Sequence, residues 1–146
     1  MTESRHRRAR HGARQRALQA LYLHQFDDPV LEELDAWISE QSPEFDRNYF
    51  DRLMHGIRGR QTELDALCTP CLDRPLSQID PVEHAILWIG CFELRYMLEL
   101  DIPVILNEAV ELAREFGAGE SYRYINGVLD RVARTLVERS VSRERV

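Results

Sequence analysis

The chain has 146 residues, 44% hydrophobic and 30% charged, with a formal net charge of −6. That length suffices for one domain with a buried core, and the apolar content excludes a disordered composition. The longest apolar runs are broken by charge well short of the roughly 20 residues a membrane-spanning helix needs, and no leader with an apolar centre opens the chain, so a soluble cytoplasmic protein is expected.

Residues 1–16 carry six Arg and one Glu, a net of +5, whereas the remainder carries thirteen Arg and twenty-four acids, a net of −11. A basic arm on an acidic body can meet phosphate at one end and a basic protein at the other. Residues 1–8 are expected to form a flexible arginine-rich arm. From about Ala9 to Phe26 the apolar positions Ala13, Ala17, Leu18, Ala20, Leu21 and Tyr22 make a helical stripe. Asp27-Asp28-Pro29 ends it, because the residue before proline avoids the helical region. A short amphipathic helix with Leu31, Leu34, Trp37 and Ile38 on one side follows. Ser42-Pro43 restarts the chain, Ser as N-cap and Pro as first helical residue. Phe45, Tyr49, Phe50, Leu53, Met54 and Ile57 then repeat at three and four; Gly56 and Gly59 weaken this helix. Leu64, Leu67 and Leu72 continue around Pro70.

Asp80-Pro81-Val82-Glu83 is the sharpest local signal. Asp is the N-cap, Pro the first helical residue, and Glu three places after the cap can close a capping box. The helix behind it (Val82, Ala85, Ile86, Leu87, Trp88, Ile89, Cys91, Phe92, Leu94) is apolar over most of its circumference and belongs at the centre of the core. Asp101-Ile102-Pro103 opens the next helix, with Gly117 as its closing C′ residue. Ser121 caps the last, which runs to about Arg139 and leaves 141–146 as a flexible tail. Asn126-Gly127 would signal a hairpin between alternating apolar residues. Tyr124, Ile125, Val128, Leu129, Val132 and Leu136 are instead spaced at three and four, so helix is expected. Gly127 is then expected to admit a neighbouring helix, and Asn126 to hydrogen-bond within the bundle. No stretch reads as a strand. The pattern predicts an all-α fold of about seven helices, one domain over residues 9–140.

Chemistry-bearing patterns are few. There is no glycine-rich phosphate loop, GxSxG elbow or HExxH motif. Cys68-Thr69-Pro70-Cys71 is a lone CxxC with no second ligand pair, so packing outweighs metal or redox chemistry. Asn107-Glu108 fits a buried network with an arginine of the first helix better than catalysis. Binding signals are stronger: Arg7, Arg8, Arg10 and Arg14 offer planar donors to phosphate, and Tyr22 lies two turns further along the same helix. Glu120-Ser121-Tyr122-Arg123-Tyr124 mixes aromatics with a cation at a helix start, where unpaired bases stack and phosphates are favoured.

The run Val104-Ile105-Leu106-Asn107-Glu108-Ala109-Val110-Glu111-Leu112-Ala113, followed by Ser121-Tyr122-Arg123-Tyr124-Ile125-Asn126-Gly127-Val128-Leu129-Asp130, resembles the NusB family of bacterial transcription antitermination factors. The start, Arg10-x-x-Ala13-Arg14-x-x-Ala17-Leu18-Gln19-Ala20-Leu21-Tyr22, carries the same resemblance. It implies two small helical bundles packed together, and RNA binding with neither catalysis nor a cofactor or metal. The family's RNA face maps to Arg7, Arg8, Arg10, Arg14, Tyr22, Glu120, Arg123 and Tyr124. The implied partners are single-stranded boxA RNA, the ribosomal protein NusE, and RNA polymerase with other Nus factors, during ribosomal RNA synthesis. The acidic body and the helix beginning at Asp80 are the expected NusE surface, with Glu83 and Leu87 as contacts. Whether the free chain is a monomer or homodimer stays open. The alternatives are an RNA-binding module of a ribosomal RNA methyltransferase, and a helical assembly factor that binds only protein.

Overall fold

Six α-helices and two short 3-10 turns make up the regular structure of residues 2–26 and 45–144, which the computed structural model describes. They are α1 (Thr2–His24), α2 (Arg47–Arg58), α3 (Gln61–Cys68), the turns Thr69–Cys71 and Leu76–Gln78, α4 (Pro81–Tyr96), α5 (Ile102–Phe116) and α6 (Ser121–Glu144). No strand occurs among the described residues. The expected helix carrying Leu31, Leu34, Trp37 and Ile38 lies outside them, as does Ser42.

Three boundaries differ from expectation. The arginine-rich start is helical from Thr2, not an irregular arm. Arg, Ala, His and Gln all tolerate helix, and Glu3 in the first turn complements the dipole. α2 begins at Arg47, after Phe45, which the expected pattern included: the Asp46 side chain accepts a 3.0 Å bond from the Tyr49 N–H and fixes the start there. α6 continues to Glu144, past the expected end at Arg139. Asp80 caps α4 as anticipated, accepting from the N–H groups of Val82 (2.8 Å) and Glu83 (3.3 Å). Asp101 occupies the N-cap of α5, but its side chain makes no capping bond.

α4 is the hub, packed against α1, α2, α3, α5 and α6. α1 also packs on α2, and α5 packs on α6. This gives an N-terminal and a C-terminal helical group around one continuous apolar core. Small residues set the spacing. Ala13, Ala17 and Ala20 of α1 are fully buried. A Cβ at Gly56 would fall 2.2 Å from the Phe92 ring, and one at Gly90 would fall 2.6 Å from Leu129, so these glycines let α2 and α6 approach α4. Gly127 does not play the role expected of it: a Cβ there meets only Arg131, at an ordinary 3.5 Å.

Polar ties stitch the turns to the hub. The Trp88 indole N–H donates to Asp65 at 2.8 Å and His84 Nε2 lies 2.7 Å from the same oxygen, which joins α4 to α3. The Cys71 carbonyl accepts two N–H groups of Arg131, at 2.8 and 3.1 Å, holding the CxxC turn against α6. Cys68, Cys71 and Cys91 are buried free thiols.

Candidate nucleic-acid interface

Helix α1 presents three different environments within its 23 residues. The first faces the core. Arg14 sits four residues before Leu18 and seven before Leu21, inside the apolar stripe, and only 2% of it is exposed. Its Nε–H donates to Glu93 at 2.8 Å and its Nη2–H to the Tyr49 hydroxyl at 3.2 Å. Tyr49 in turn donates its hydroxyl to the same carboxylate. Glu93 is 1% exposed. Burial pushes its carboxyl above the usual range, while Arg14 and the Tyr49 hydroxyl pull it back down. Burial likewise pushes the Tyr49 hydroxyl well up, and the neighbouring Glu93 adds to this. Arg14 is therefore a core ion pair. Its expected place on an RNA face is corrected, because every donor it can aim is enclosed by protein.

The second environment faces α5. His11 Nδ1 lies 2.6 Å from Glu108, and His11 Nε2 lies 2.5 Å from Glu115. Gln15 donates to Glu115 at 2.5 Å, and Arg14 reaches Glu108 at 3.5 Å. With a carboxylate on each ring nitrogen, His11 is built to hold two protons. The Glu108 hydrogen bond raises its pKa against the opposing effect of burial. Burial would raise the Glu108 carboxyl, but His11 and Arg14 outweigh it and the net shift is downward. The expected pairing of Glu108 with a first-helix arginine thus forms. Asn107 is exposed and takes no part in it, and Asn126 is exposed as well, not hydrogen-bonded within the bundle.

The third environment is solvent. Arg7 and Arg8 are exposed. Helical spacing puts Arg7, His11, Gln15, Leu18 and Tyr22 along one side. Tyr22 is 36% exposed and packs edge-on against Phe26 at 5.0 Å between centroids. Arg10 turns away from that side: its guanidinium lies 4.8 Å over the Tyr49 ring and is partly buried.

The start of α6 is arranged around two tyrosines. Arg123 and Glu120 are exposed and paired at 3.6 Å. Tyr124 is partly buried, with the Arg74 guanidinium 4.4 Å over its ring, so one ring face is already covered. Burial raises its hydroxyl pKa, and the negative charge of Asp73 adds to that. Sequence reasoning named Tyr122 only as part of the Glu120–Tyr124 segment and passed over Arg114. The guanidinium of Arg114 lies 4.8 Å from the Tyr122 ring centroid and that of Arg123 lies 5.7 Å from it, which makes a cation–aromatic stack. The only hint was the adjacency of Tyr122 and Arg123, since Arg114 belongs to another helix. The turn between α5 and α6 is tight: a Cβ at Gly117 would lie 2.6 Å from the Ala113 carbonyl and 2.8 Å from Ser121 Cβ. The left-handed residue is Gly119 (φ 54°), not Gly117 as expected, which is extended.

The expected partner contacts on α4 are not available at the surface. Leu87 is 0% exposed and Glu83 only 7%. The reason is the hub position of α4: neighbouring helices close over it, and Gln25 at the end of α1 donates to the Pro81 carbonyl at 2.8 Å.

Comparison with known proteins places this arrangement. The NusB family pattern matches residues 11–134. The transcription antitermination protein NusB of Nitrosococcus oceani is 47% identical over 122 residues, covering 83% of this chain and 82% of its own length. The solved T. maritima NusB aligns with a TM-score of 0.75 at 28% identity, over 86% of this chain and 90% of that one. A chain from a crystal structure of antitermination factors NusB and NusE in complex with dsRNA aligns at 0.76 and 21% identity, over 88% and 98% respectively, and shares the fold. With the family pattern spanning most of its length and its helices superposing on those of solved relatives, the chain belongs to the NusB family.

Proposed function

We propose that this chain is a transcription antitermination factor that binds single-stranded boxA RNA together with NusE and promotes processive transcription of ribosomal RNA operons in the cytoplasm. The reading assigns it no catalytic step. One observation carries it: α1 commits Arg14 to the core yet leaves Arg7 and Arg8 in solvent, on a helix that ends in the half-open Tyr22. Exposed arginines followed by an aromatic are what a single strand needs, phosphate contacts first and base stacking after. The Arg114–Tyr122–Arg123 stack supplies a second cation–aromatic element at the start of α6. NusE is the proposed basic partner for the acidic body. It would extend the RNA site, so that two weak contacts act as one stronger one. RNA polymerase and other Nus factors complete the assembly. No helix among the described residues is long and apolar enough to cross a membrane.

The test is binding of labelled boxA RNA to the purified chain, alone and with NusE, beside a double-stranded RNA of equal length. Tighter binding of the single strand when NusE is present is the expected result. No binding of either RNA under either condition would end the reading.

A further inference from the structure

Where α1 ends, its last turns face the start of α4 and the end of α5 across a cavity of about 290 Å³. Leu18, Gln19, Tyr22 and Leu23 line it from α1, Val82 from α4 and Phe116 from α5. Two walls are aromatic. Among the described lining residues, Gln19 supplies the one polar side-chain group apart from the tyrosine hydroxyl, and its Oε1 is shielded from solvent without a hydrogen-bond partner. A buried acceptor left unpaired is costly, and an arriving donor relieves that cost. The frame is firm: Gln25 pins the end of α1 to the first carbonyl of α4, and the tight Gly117 turn fixes the end of α5.

We propose that this cavity accepts one unpaired RNA base, held between Tyr22 and Phe116 and read by the Gln19 amide. The inference rests on the RNA-binding reading above and adds a base-selective subsite to it. Three features favour a base over an aliphatic side chain. The aromatic walls offer flat faces to a flat guest. The approach beyond Phe116 carries the exposed guanidinium groups of the Arg114–Tyr122–Arg123 stack, where a flanking phosphate of a splayed nucleotide can lie. Glu115, beside Phe116, is already engaged by His11 and Gln15. The unpaired acceptor also sets the chemistry of the guest. An amide presents an acceptor beside a donor, which matches the amino group and adjacent ring nitrogen of adenine or cytosine.

The experiment scans boxA RNA with one abasic sugar at a time, in the presence of NusE, against the wild-type chain and three variants. In the wild type one position is expected to lose roughly 5- to 150-fold in affinity when its base is removed, the range of a stacked base. Val82→Trp fills the cavity and should abolish the loss at that position while leaving the others unchanged. Phe116→Ala, at an exposed helix end, should shrink the same loss and serves if the tryptophan variant melts early. Gln19→Leu should keep the stacking loss. It should no longer distinguish the natural base at that position from its analogue lacking the amino group. A flat scan from a chain that binds RNA overturns the pocket and leaves the antitermination reading intact. Undiminished amino-group preference in Gln19→Leu overturns the role given to the amide. A wild-type chain that binds no boxA RNA removes both readings together.

Discussion

Arg14 and the pair Arg7–Arg8 belong to the same helix and the same residue type, yet they serve opposite ends. Arg14 lies in the apolar stripe, spends its donors on Glu93 and Tyr49, and holds α1 to α2 and α4. Arg7 and Arg8 lie about two turns nearer the N-terminus, where residues 3–8 are all exposed, and keep their donors in water. The difference teaches that an arginine-rich start is not one feature. Position along the helix, before or within the span that Ala13, Ala17 and Ala20 seat against the core, decides which guanidinium becomes architecture and which stays free for phosphate. Substitutions should therefore separate stability from RNA affinity along a single helix.

The largest separation should come from the core pair. Arg14→Leu leaves Glu93 buried without its cation, and removing one member of a buried pair typically costs about 3–5 kcal/mol. Urea unfolding should show that loss. The double variant Arg14→Leu/Glu93→Leu should recover most of it, because two apolar side chains replace two charges. If the double variant is no more stable than the single, the pair is not the reason for the loss. At the opposite pole, Tyr22→Ala should cost about 1–3 kcal/mol of RNA affinity if a base stacks there, with little change in unfolding midpoint. Equal loss in stability and binding would move Tyr22 into the same class as Arg14.

A smaller effect tests the hub. Asp80→Ala removes the side chain that caps α4 and should cost about 1 kcal/mol of stability. An unchanged melting temperature would mean that packing alone sets the start of α4. The smallest and most conditional effect belongs to His11. Its folded pKa is raised above the ordinary 6.5, so its contribution is complete below that value and is lost as pH rises through the folded pKa. Glu108 is lowered from 4.5, so its contribution is present above that value and is lost as pH falls. The His11 clamp should thus stabilise most between these two limits. Melting of wild type and His11→Gln should differ there and converge at alkaline pH. A constant difference across the range would show that His11 acts by packing and not by charge.

Much of this was legible in the sequence because periodicity and capping are local. The stripes of α1, α2, α4 and α6 and the Asp80 cap follow from residues a few places apart. What the chain could not disclose is tertiary. Arg14 reads as a phosphate contact until Glu93, 79 residues away, is seen to face it. Glu83 reads as an exposed first-turn acid until neighbouring helices close over α4. Gly127 looks like a packing glycine, whereas the close approaches fall at Gly56 and Gly90. The stack of Arg114 on Tyr122 and the cavity at Gln19 arise only where helix ends meet, and no spacing rule reports such meetings.

The most direct test of the division along α1 is a salt titration of boxA RNA binding, with NusE present, for wild type and Arg7→Ala/Arg8→Ala, with melting measured beside it. Each lost phosphate contact should lower the slope of log affinity against log salt by about 0.7 for a single strand, and hence by about 1.4 for the pair, while the melting temperature stays within a degree or so. An unchanged slope and affinity in the double variant would contradict the account and leave these arginines as a solvated face of the helix.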